Sequence, residues 1–428
     1  MATLRWTGRA EPVAQVISVT IGGSPAQNDT YSIVFYHDSV EVGRVTYQET
    51  AASPTVSDVA AGLVAAFNAS TTPRAVGITA SDEGSGLVYL TADTPGTPFD
   101  EDVAGASQLG VAKTGSGTIT KGSVTANAGP NVWGAAANYE DNAGGSPAAP
   151  SDGDTLYIQG GPPILYDLDA LNGLTTPLAH VYIDQSFGPS TIGLPDDNPN
   201  GYAEFLDRHL ELDATALTIG RGDGSGSGRM RIKSLTSAMA IVVHNTGGAL
   251  DTNRAALQLI GTTGGTDIEV RGGTVEISKE GGAASTLDGS EIEVSGGTLT
   301  IWNPTTIGST AATIQVLGGT LIIEPAVAHA STTITVQSGT FRMLKGCTVA
   351  GTITISGPGT VECQSGGSSP DIGTLVMSNE EATFDASQAV DAVTITTASG
   401  VVLGTIIDPH KKISNASLPD ARLITLTD

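Results

Sequence analysis

Aromatic and charged residues are scarce in this chain of 428 residues, at 4% and 15% of the sequence, whereas glycine is abundant, with 55 residues. Thr, Ser, Val and Ile recur throughout, and this composition favours strands and tight turns over helices. No apolar run reaches the roughly 18 residues that a membrane span needs. The first residues also lack the apolar core of a secretory signal. We therefore expect a mostly β chain that is made in a cytoplasm and has no membrane partner.

Basic residues are few as well. Lys and Arg together number 19, against 44 Asp and Glu, and the formal net charge is -25. No run of Lys or Arg offsets this charge, so contact with a phosphate backbone or an anionic lipid surface is repulsive. The charge excludes nucleic acid as an expected partner.

Motifs for catalysis and metal binding are missing. The 6 histidines are scattered with no pair at ligand spacing, and no HExxH or CxxC pattern occurs. No GxSxG-like elbow indicates a serine nucleophile, and no glycine-rich loop opens a helix within a βαβ unit. The sequence assigns no catalytic, cofactor-binding or metal-binding residue, and no cofactor is expected.

The 2 cysteines, Cys347 and Cys363, fall on strands that could be neighbours within the repeats described below. A disulfide between them is one alternative. Two small buried thiols are favoured, because a chain that is not exported matures in a reducing compartment.

Composition divides the chain into five parts. Residues 1–125 are predicted to form a small α+β anchoring module, and residues 126–153 a linker rich in Gly, Ala and Pro. Residues 154–216 are an irregular β cap region that leads into a β-solenoid over residues 217–406. Residues 407–428 form a carboxyl-terminal cap or tail.

The first module is predicted to combine one helix with several strands. Apolar residues at helical spacing follow Thr55 and Ser57, either of which is available as the cap: Val59, Leu63, Ala66 and Phe67. Strands are predicted at Val16 to Ile21, Tyr31 to Phe35, Glu41 to Tyr47, Ala75 to Ala80 and Leu87 to Thr91.

A repeat of strand, glycine turn and strand occupies the carboxyl-terminal half. Five segments align: IEVRGGTVEI from Ile268, IEVSGGTLTI from Ile292, IQVLGGTLII from Ile314, ITVQSGTFRM from Ile334 and ITISGPGTVEC from Ile353. The glycine before the shared threonine steps by 24, 22, 20 and 20 residues. Short strands at this spacing are typical of a β-solenoid, whose coils stack and pair their backbones in parallel register.

Alternation within each strand explains how such coils would hold together. In Ile268-Glu269-Val270 the two apolar side chains point one way and the Glu points the other, which gives an apolar column inside and a polar ladder outside. Glycine corners supply the positive φ of a sharp bend. The predicted fold is mostly β, with a C-terminal right-handed parallel β-helix and a small N-terminal α+β module. The segments before Leu217 and after Ile406 are the expected caps of the open ends.

Acidic side chains on the solenoid offer an alternative to a purely structural role. Glu291 and Glu293 share one strand face, and Glu269, Glu276 and Glu293 are predicted on adjacent coils. Paired acids across a shallow groove are typical of glycosidases and lyases. A solvated outer face is favoured, because the aromatic residues that could bind sugar are few and dispersed: Trp302, Phe341 and Phe384.

Other acidic pairs are given a simpler interpretation. Asp167 with Asp169 and Asp196 with Asp197 are expected to be solvated loop residues or incidental cation sites. The tripeptide Arg221-Gly222-Asp223 is interpreted as a chance match to an integrin-type motif.

Three features together carry a resemblance. They are the module, with Thr30-Tyr31-Ser32-Ile33 and the helix that begins near Ser57, the Val132-Trp133 linker, and the Gly-Gly-Thr coils. With them the chain resembles virion structural proteins of tailed bacteriophages. The module is similar to a small domain of many phage head and tail proteins, over about a quarter of the chain. The coils are similar to β-helical fibres, spikes and decoration proteins, over nearly half of it.

The resemblance implies a non-enzymatic structural protein on the outer surface of the virion, such as a capsid decoration or head-fibre protein. It also implies a homotrimer with one end docked on major capsid or tail proteins. No functional residue is carried over, because the resemblance is one of pattern. The acidic surface favours the outside of the particle over its DNA-filled lumen. Two alternatives stay open: a tail spike that binds or depolymerises a host surface polysaccharide, and a bacterial surface adhesin.

Overall fold

An antiparallel module is inserted near the start of a long parallel β-solenoid. The structure is a computed structural model, and it describes residues 2–37, 40–100, 102–103, 106–142, 148–187, 191–194, 209–221, 229–235, 238–246, 255–278, 284–303, 305–344, 347–364, 371–389, 393–398, 403–408, 410 and 413–415.

Two larger antiparallel sheets, a two-stranded pair of β7 and β8, and one helix form the module. In chain order the first elements are β1 (Thr3–Trp6), β2 (Val16–Gly22), β3 (Thr30–His37), β4 (Val40–Gln48), α1 (Val56–Asn68), a 3-10 turn (Pro73–Ala75), β5 (Ile78–Gly84), β6 (Leu87–Ala92), β7 (Asp102–Val103), β8 (Ala106–Ser107), β9 (Leu109–Thr114) and β10 (Thr118–Thr125). One sheet has the order β10-β2-β6-β5 and the other β4-β3-β9. The module is therefore α+β, as predicted, although the strands from β7 to β10 were not predicted.

Helix α1 begins at a capping box. The backbone N–H of Asp58 donates to Thr55 Oγ1 at 3.2 Å, and the Thr55 N–H donates to Asp58 Oδ2 at 2.8 Å, which satisfies two donors at the helix start. Thr55 is thus the cap. The buried face of α1 carries Val59, Leu63 and Phe67 into the core between the sheets, so the predicted helix is confirmed.

The remaining strands belong to the solenoid. They are β11 (Tyr139–Asp141), β12 (Thr155–Ile158), β13 (His180–Asp184), β14 (Leu210–Leu212), β15 (Ala216–Arg221), β16 (Met230–Ser234), β17 (Ala240–Val243), β18 (Leu257–Ile260), β19 (Asp267–Val270), β20 (Thr274–Ile277), β21 (Glu291–Val294), β22 (Thr298–Ile301), β23 (Thr313–Val316), β24 (Thr320–Ile323), β25 (Thr333–Val336), β26 (Thr340–Met343), β27 (Val349–Ile355), β28 (Thr360–Cys363), β29 (Asp371–Asp385), β30 (Val393–Ala398), β31 (Leu403–Ile407) and β32 (Ile413–Asn415), with 3-10 turns at Ala136–Asn138 and Gln185–Phe187.

These strands form two parallel ladders. The first ladder is β12, β13, β15, β17, β19, β21, β23, β25, β27, β29, β30 and β32. The second ladder is β14, β16, β18, β20, β22, β24, β26, β28, β29 and β31. At about 4.8 Å per coil the first ladder is on the order of 50 Å long.

Like residues stack on like residues in the interior. Ile268, Ile292, Ile314, Ile334 and Ile353 follow one another in register along the first ladder, and each is at most 1% exposed. The two strands of each repeat lie in different ladders, so the glycine turns do not close antiparallel hairpins. The predicted β-solenoid is confirmed.

Glycine is required at the corners between the ladders. Gly297, Gly319 and Gly339 adopt φ of +66°, +67° and +80°. A Cβ atom at Gly319 would lie 2.6 Å from the carbonyl oxygen of Gly297, its counterpart one coil earlier. Both the backbone conformation and the coil-to-coil contact therefore exclude a side chain.

The start of the solenoid differs from the sequence-based division. Strand β1 pairs in parallel with β12 and antiparallel with β11, so Thr3–Trp6 lies in the solenoid sheet and the module is inserted after it. The predicted linker over 126–153 includes the buried residues Trp133, Asn138 and Tyr139. The rings of Trp133 and Tyr139 pack on each other and on Trp6, with centroids 5.4 to 5.8 Å apart. This aromatic cluster covers the first coil.

Parallel pairing also extends beyond the predicted limits of 217 and 406. Leu156, Val181 and Leu217 are in register, and at the other end β32 pairs with β30. Long irregular connections between the first coils conceal the repeat in the sequence. Within the predicted C-terminal cap, Pro409, Lys411, Lys412 and residues 416–428 lie outside the described residues.

Both cysteines are buried and free, as favoured above. Burial raises the pKa of both thiols, that of Cys363 to about 12, and the charge of Asp385 contributes at Cys363. Since the thiolate is the reactive form, we expect neither thiol of the folded protein to react with a chromogenic disulfide reagent at pH 8. Both should react within minutes after unfolding in guanidinium chloride. Rapid labelling of the folded chain would contradict this placement.

Candidate functional site

The outward side chains of the first ladder form a mostly polar face. They lie in two rows, one through His180, Ala216, Ala240, Asp267, Glu291, Thr313, Thr333 and Thr352, the other through Tyr157, Tyr182, Thr218, Val242, Glu269, Glu293, Gln315, Thr335 and Thr354. The rows exist because alternate residues of a strand point to the same side and the coils are in register. We call this surface the polar face.

Four carboxylates meet on two adjacent coils of the polar face. Glu269 and Glu293 are paired residues of β19 and β21. Asp267 and Glu291 lie two residues earlier on the same two strands, in the other row. A shallow depression of about 210 Å³ lies over these residues and Gln315. The prediction that Glu291 and Glu293 share one face is confirmed.

Two of these carboxylates are occupied by local hydrogen bonds. The Arg271 guanidinium binds both carboxylate oxygens of Glu269, with Nη2 2.8 Å from Oε2. The hydrogen bonds that Arg271 donates to Glu269, together with the charges of Glu269 and Glu293, raise the pKa of Arg271. Asp267 Oδ1 accepts the backbone N–H of Glu291 at 2.9 Å. The array is thus partly neutralised and fixed to the strands.

Glu276 lies in the same repeat as Glu269 and next to the repeat of Glu293, but it does not belong to this array. It lies on the second ladder, because the glycine corner before it turns the chain onto another side of the solenoid. It is 2% exposed and forms an ion pair with Arg229, Nη2 to Oε1, at 2.8 Å. Phe341 and Phe384 are core residues.

Sequence reasoning missed an aromatic stack on the polar face. The rings of Tyr157 and Tyr182 are 4.6 Å apart and nearly parallel, and the imidazole of His180 stacks on Tyr182 at 3.8 Å. His180 Nε2 lies 2.8 Å from Thr218 Oγ1. The signal was present, since Tyr157 and Tyr182 occupy outward positions in strands of alternating pattern. The stack lies three coils before Glu269, on the order of 14 Å away.

Asp167 and Asp169 lie where the module meets the solenoid, and both line a cavity of about 450 Å³ between the two parts. Two other patterns singled out in the sequence fall outside the described residues: the pair Asp196 and Asp197, and the Gly222-Asp223 part of the tripeptide. Across the part of the chain that the structure describes, no group of three or more His, Cys, Asp or Glu side chains is placed to hold a metal ion.

Burial and the charge of Asp169 raise the pKa of Asp167. A carboxyl with a raised pKa in the folded chain destabilises folding once it ionises, so the penalty is absent below the unfolded value and present above the folded value. Asn tolerates the φ of +56° at this position. We expect Asp167→Asn to be more stable than the original chain at pH 7 and to lose that advantage towards pH 3, measured by urea unfolding.

Asp152→Asn is the matched control for this prediction. Backbone hydrogen bonds from Thr176 and Thr175 lower the pKa of Asp152, so its ionised form favours folding and the substitution should not stabilise the chain at pH 7. Equal effects of the two substitutions on stability at pH 7 would contradict the raised pKa of Asp167.

Together, the ladders, corners and polar face define a parallel β-solenoid protein with an inserted α+β module. No family model, curated protein or solved structure matches the chain. Among the described residues, no helix is long and apolar enough to cross a membrane.

Proposed function

We propose that this chain is a non-enzymatic structural protein on the outer surface of a tailed-phage particle, of the capsid decoration or head-fibre kind. The solenoid serves as a stiff shaft and the inserted module as the attachment domain. The observation that carries the proposal is the uninterrupted parallel ladder from β12 to β32, because bending such a rod would break interstrand hydrogen bonds in every coil.

The connection between module and shaft supports a mechanical role. Both polypeptide crossings into the module are held by Asn138, whose Oδ1 accepts the N–H of Ala10 at 2.7 Å and whose Nδ2 donates to the carbonyl of Gly129 at 2.9 Å. Asn138 is fully buried. A buried amide that joins both crossings restricts hinge motion of the module relative to the shaft.

The module also presents an edge suited to attachment. Strand β4 is an outer strand of its sheet, and Val40 and Val42 on it are 64% and 46% exposed. An edge strand with exposed β-branched residues can accept a further strand from another chain. The net charge of -25 favours a location away from packaged DNA.

Purified particles of the virus that encodes this sequence provide the test. Quantitative mass spectrometry should find the chain at a fixed ratio to the major capsid or tail protein, and Val42→Lys should reduce that ratio. An exposed substitution away from β4, Glu83→Gln, is the control. Absence of the chain from particles would refute the proposal, and its presence on uninfected cells would favour a surface adhesin. The homotrimer stays a prediction that light scattering on the purified protein can test.

A tail spike that binds or cleaves polysaccharide is the second candidate. The observation that favours it is the aromatic stack of Tyr157, Tyr182 and His180 on the same face as the carboxylates, since aromatic rings and acids are the usual contacts for sugars. Incubation with host capsule or lipopolysaccharide should then release new reducing ends, and Glu291→Gln or Glu293→Gln should abolish them. No release by the original chain would reject cleavage.

A further inference from the structure

The polar face begins with a group of positive charges. Arg5 on β1 is the ladder partner of Tyr157, so the face starts one strand before β12. Arg5 and the neighbouring Arg9 share a single acid, since Nη2 of Arg5 and Nη1 of Arg9 each lie 3.3 Å from Glu140 Oε2. Both arginine side chains reach solvent, with exposures of 42% and 71%. Two guanidinium groups against one carboxylate leave this end of the face positive.

The opposite charge stands five coils further along the same face. There Glu269 and Glu293 continue the row of Arg5, and Asp267 and Glu291 lie in the other row. The one nearby cation, Arg271, is bound to Glu269. Within the part of the chain that the structure describes, the side-chain carboxylates of Glu291 and Glu293 accept no hydrogen bond. This end of the face is therefore negative.

Between the two ends, the two rows contain no Asp, Glu, Lys or Arg. The outward residues there are aromatic, small or aliphatic: Thr155, Tyr157, His180, Tyr182, Ala216, Thr218, Ala240 and Val242. Surfaces that bind another protein typically combine an uncharged centre rich in tyrosine with a charged rim. The first coils of the polar face have this composition, and their two charged ends are of opposite sign.

We propose that the polar face binds the polar face of a second copy of this chain, with the two solenoids antiparallel. A twofold axis between β13 and β15 places Arg5 of each copy opposite Glu269 and Glu293 of the other. The rotation reverses the order of the coils but leaves each row opposite itself, so both charged ends are matched at once. The same rotation brings the two uncharged centres together.

The charges select the antiparallel orientation. In a parallel pair, or in a trimer around an axis along the shaft, each coil would face the same coil of its neighbour. Glu269 and Glu293 would then meet their own copies, and like charges in contact oppose association. This face is therefore unsuited to the homotrimer that the resemblance implies. The inference does not depend on the role of the chain in a virus particle.

The size of the face sets the strength of the contact. From Arg5 to Glu293 it spans about 29 Å, and with strands about 13 Å long it offers on the order of 400 Å² per partner. A stable complex buries roughly twice that area. The net charge of -25 also opposes association, although about 0.15 M salt screens charges more than about 8 Å apart. We therefore expect a reversible dimer that forms at about tens of micromolar and above.

Sedimentation velocity of the purified full-length chain in about 0.15 M NaCl measures this association. The sedimentation coefficient should rise with concentration towards that of two chains. Glu293→Arg and Arg9→Glu should each weaken association by about tenfold or more, and the double variant should restore most of it, because it exchanges the two charges. Glu83→Arg changes the net charge equally at an exposed position of the module and should not weaken association. General repulsion between acidic chains predicts the opposite result for Glu293→Arg.

Cysteine substitutions test the orientation. Ala216 on β15 lies close to the twofold axis, whereas Thr333 on β25 lies five coils away from Ala216. A mild oxidant should join Ala216→Cys chains in pairs and leave Thr333→Cys chains single, since the native cysteines are buried. Circular dichroism checks that each variant is folded. A monomer or trimer at every concentration, unchanged association of Glu293→Arg, or equal cross-linking of the two cysteine variants would overturn the proposal. The concentration series on the original chain decides the matter if a variant does not fold.

Discussion

Gly319→Ala is expected to destabilise the solenoid by about 3 kcal/mol or more, in urea unfolding of the full chain. Two effects add at this corner. An alanine at φ +67° is strained, and its Cβ atom would lie 2.6 Å from the Gly297 carbonyl oxygen and 2.7 Å from the Gly296 carbonyl carbon. To relieve this clash the two coils would have to move apart. That movement would break hydrogen bonds between them, such as the bond from the Thr320 N–H to Gly297 O at 2.8 Å.

Substitutions at two other glycines separate the cost of backbone strain from the cost of the clash between coils. Gly84 has φ +83° but nothing within 4 Å of its missing Cβ, so Gly84→Ala reports the backbone strain alone, about 1 kcal/mol. Gly173 has open space and no positive φ, and Gly173→Ala should be nearly neutral. A loss at Gly319 no greater than the loss at Gly84 would show that the coils are not in contact there.

Asn138→Asp is expected to cost about 4 kcal/mol or more, because it places a carboxylate oxygen against two backbone carbonyls. The amide Nδ2 of Asn138 donates to Gly129 O at 2.9 Å and to Val132 O at 2.8 Å. Aspartate keeps the bond from Ala10 but loses both donors. Calorimetric unfolding should show a lowered transition, with the module no longer melting together with the first coils.

The same change at an exposed site provides the control. Asn142 lies shortly after Asn138 and is exposed, and its backbone N–H donates to Thr3 O at 3.0 Å. Asn142→Asp should therefore change stability by less than about 0.5 kcal/mol. Similar losses at the two positions would indicate that the Asn138 side chain does not hold the junction.

The shaft was predictable because its signals are local. An Ile-x-Val strand followed by a glycine corner and a threonine defines one repeat, and stacking of Ile268 on Ile292 follows from the near-constant spacing. The helix was predictable for the same reason. The insertion of the module was not, because β1 pairs with β12 across more than a hundred intervening residues, and no local pattern indicates such a partner.

The site was predicted in part. Glu291 and Glu293 were placed together by strand alternation. That Glu276 lies on the other ladder, away from Glu269 and Glu293, was not predicted, because the sequence does not show which side of the solenoid follows each corner. Tyr157 and Tyr182 were missed because their coils are separated by irregular connections, so the repeat that aligns them was not visible.

Electron cryo-microscopy of particles with and without the gene tests the account most directly. We expect an external rod on the order of 50 Å long that is absent from the deletion particles, with the inserted module at the end that touches the shell. Identical maps for the two kinds of particle, or a matching density inside the shell against the DNA, would contradict it.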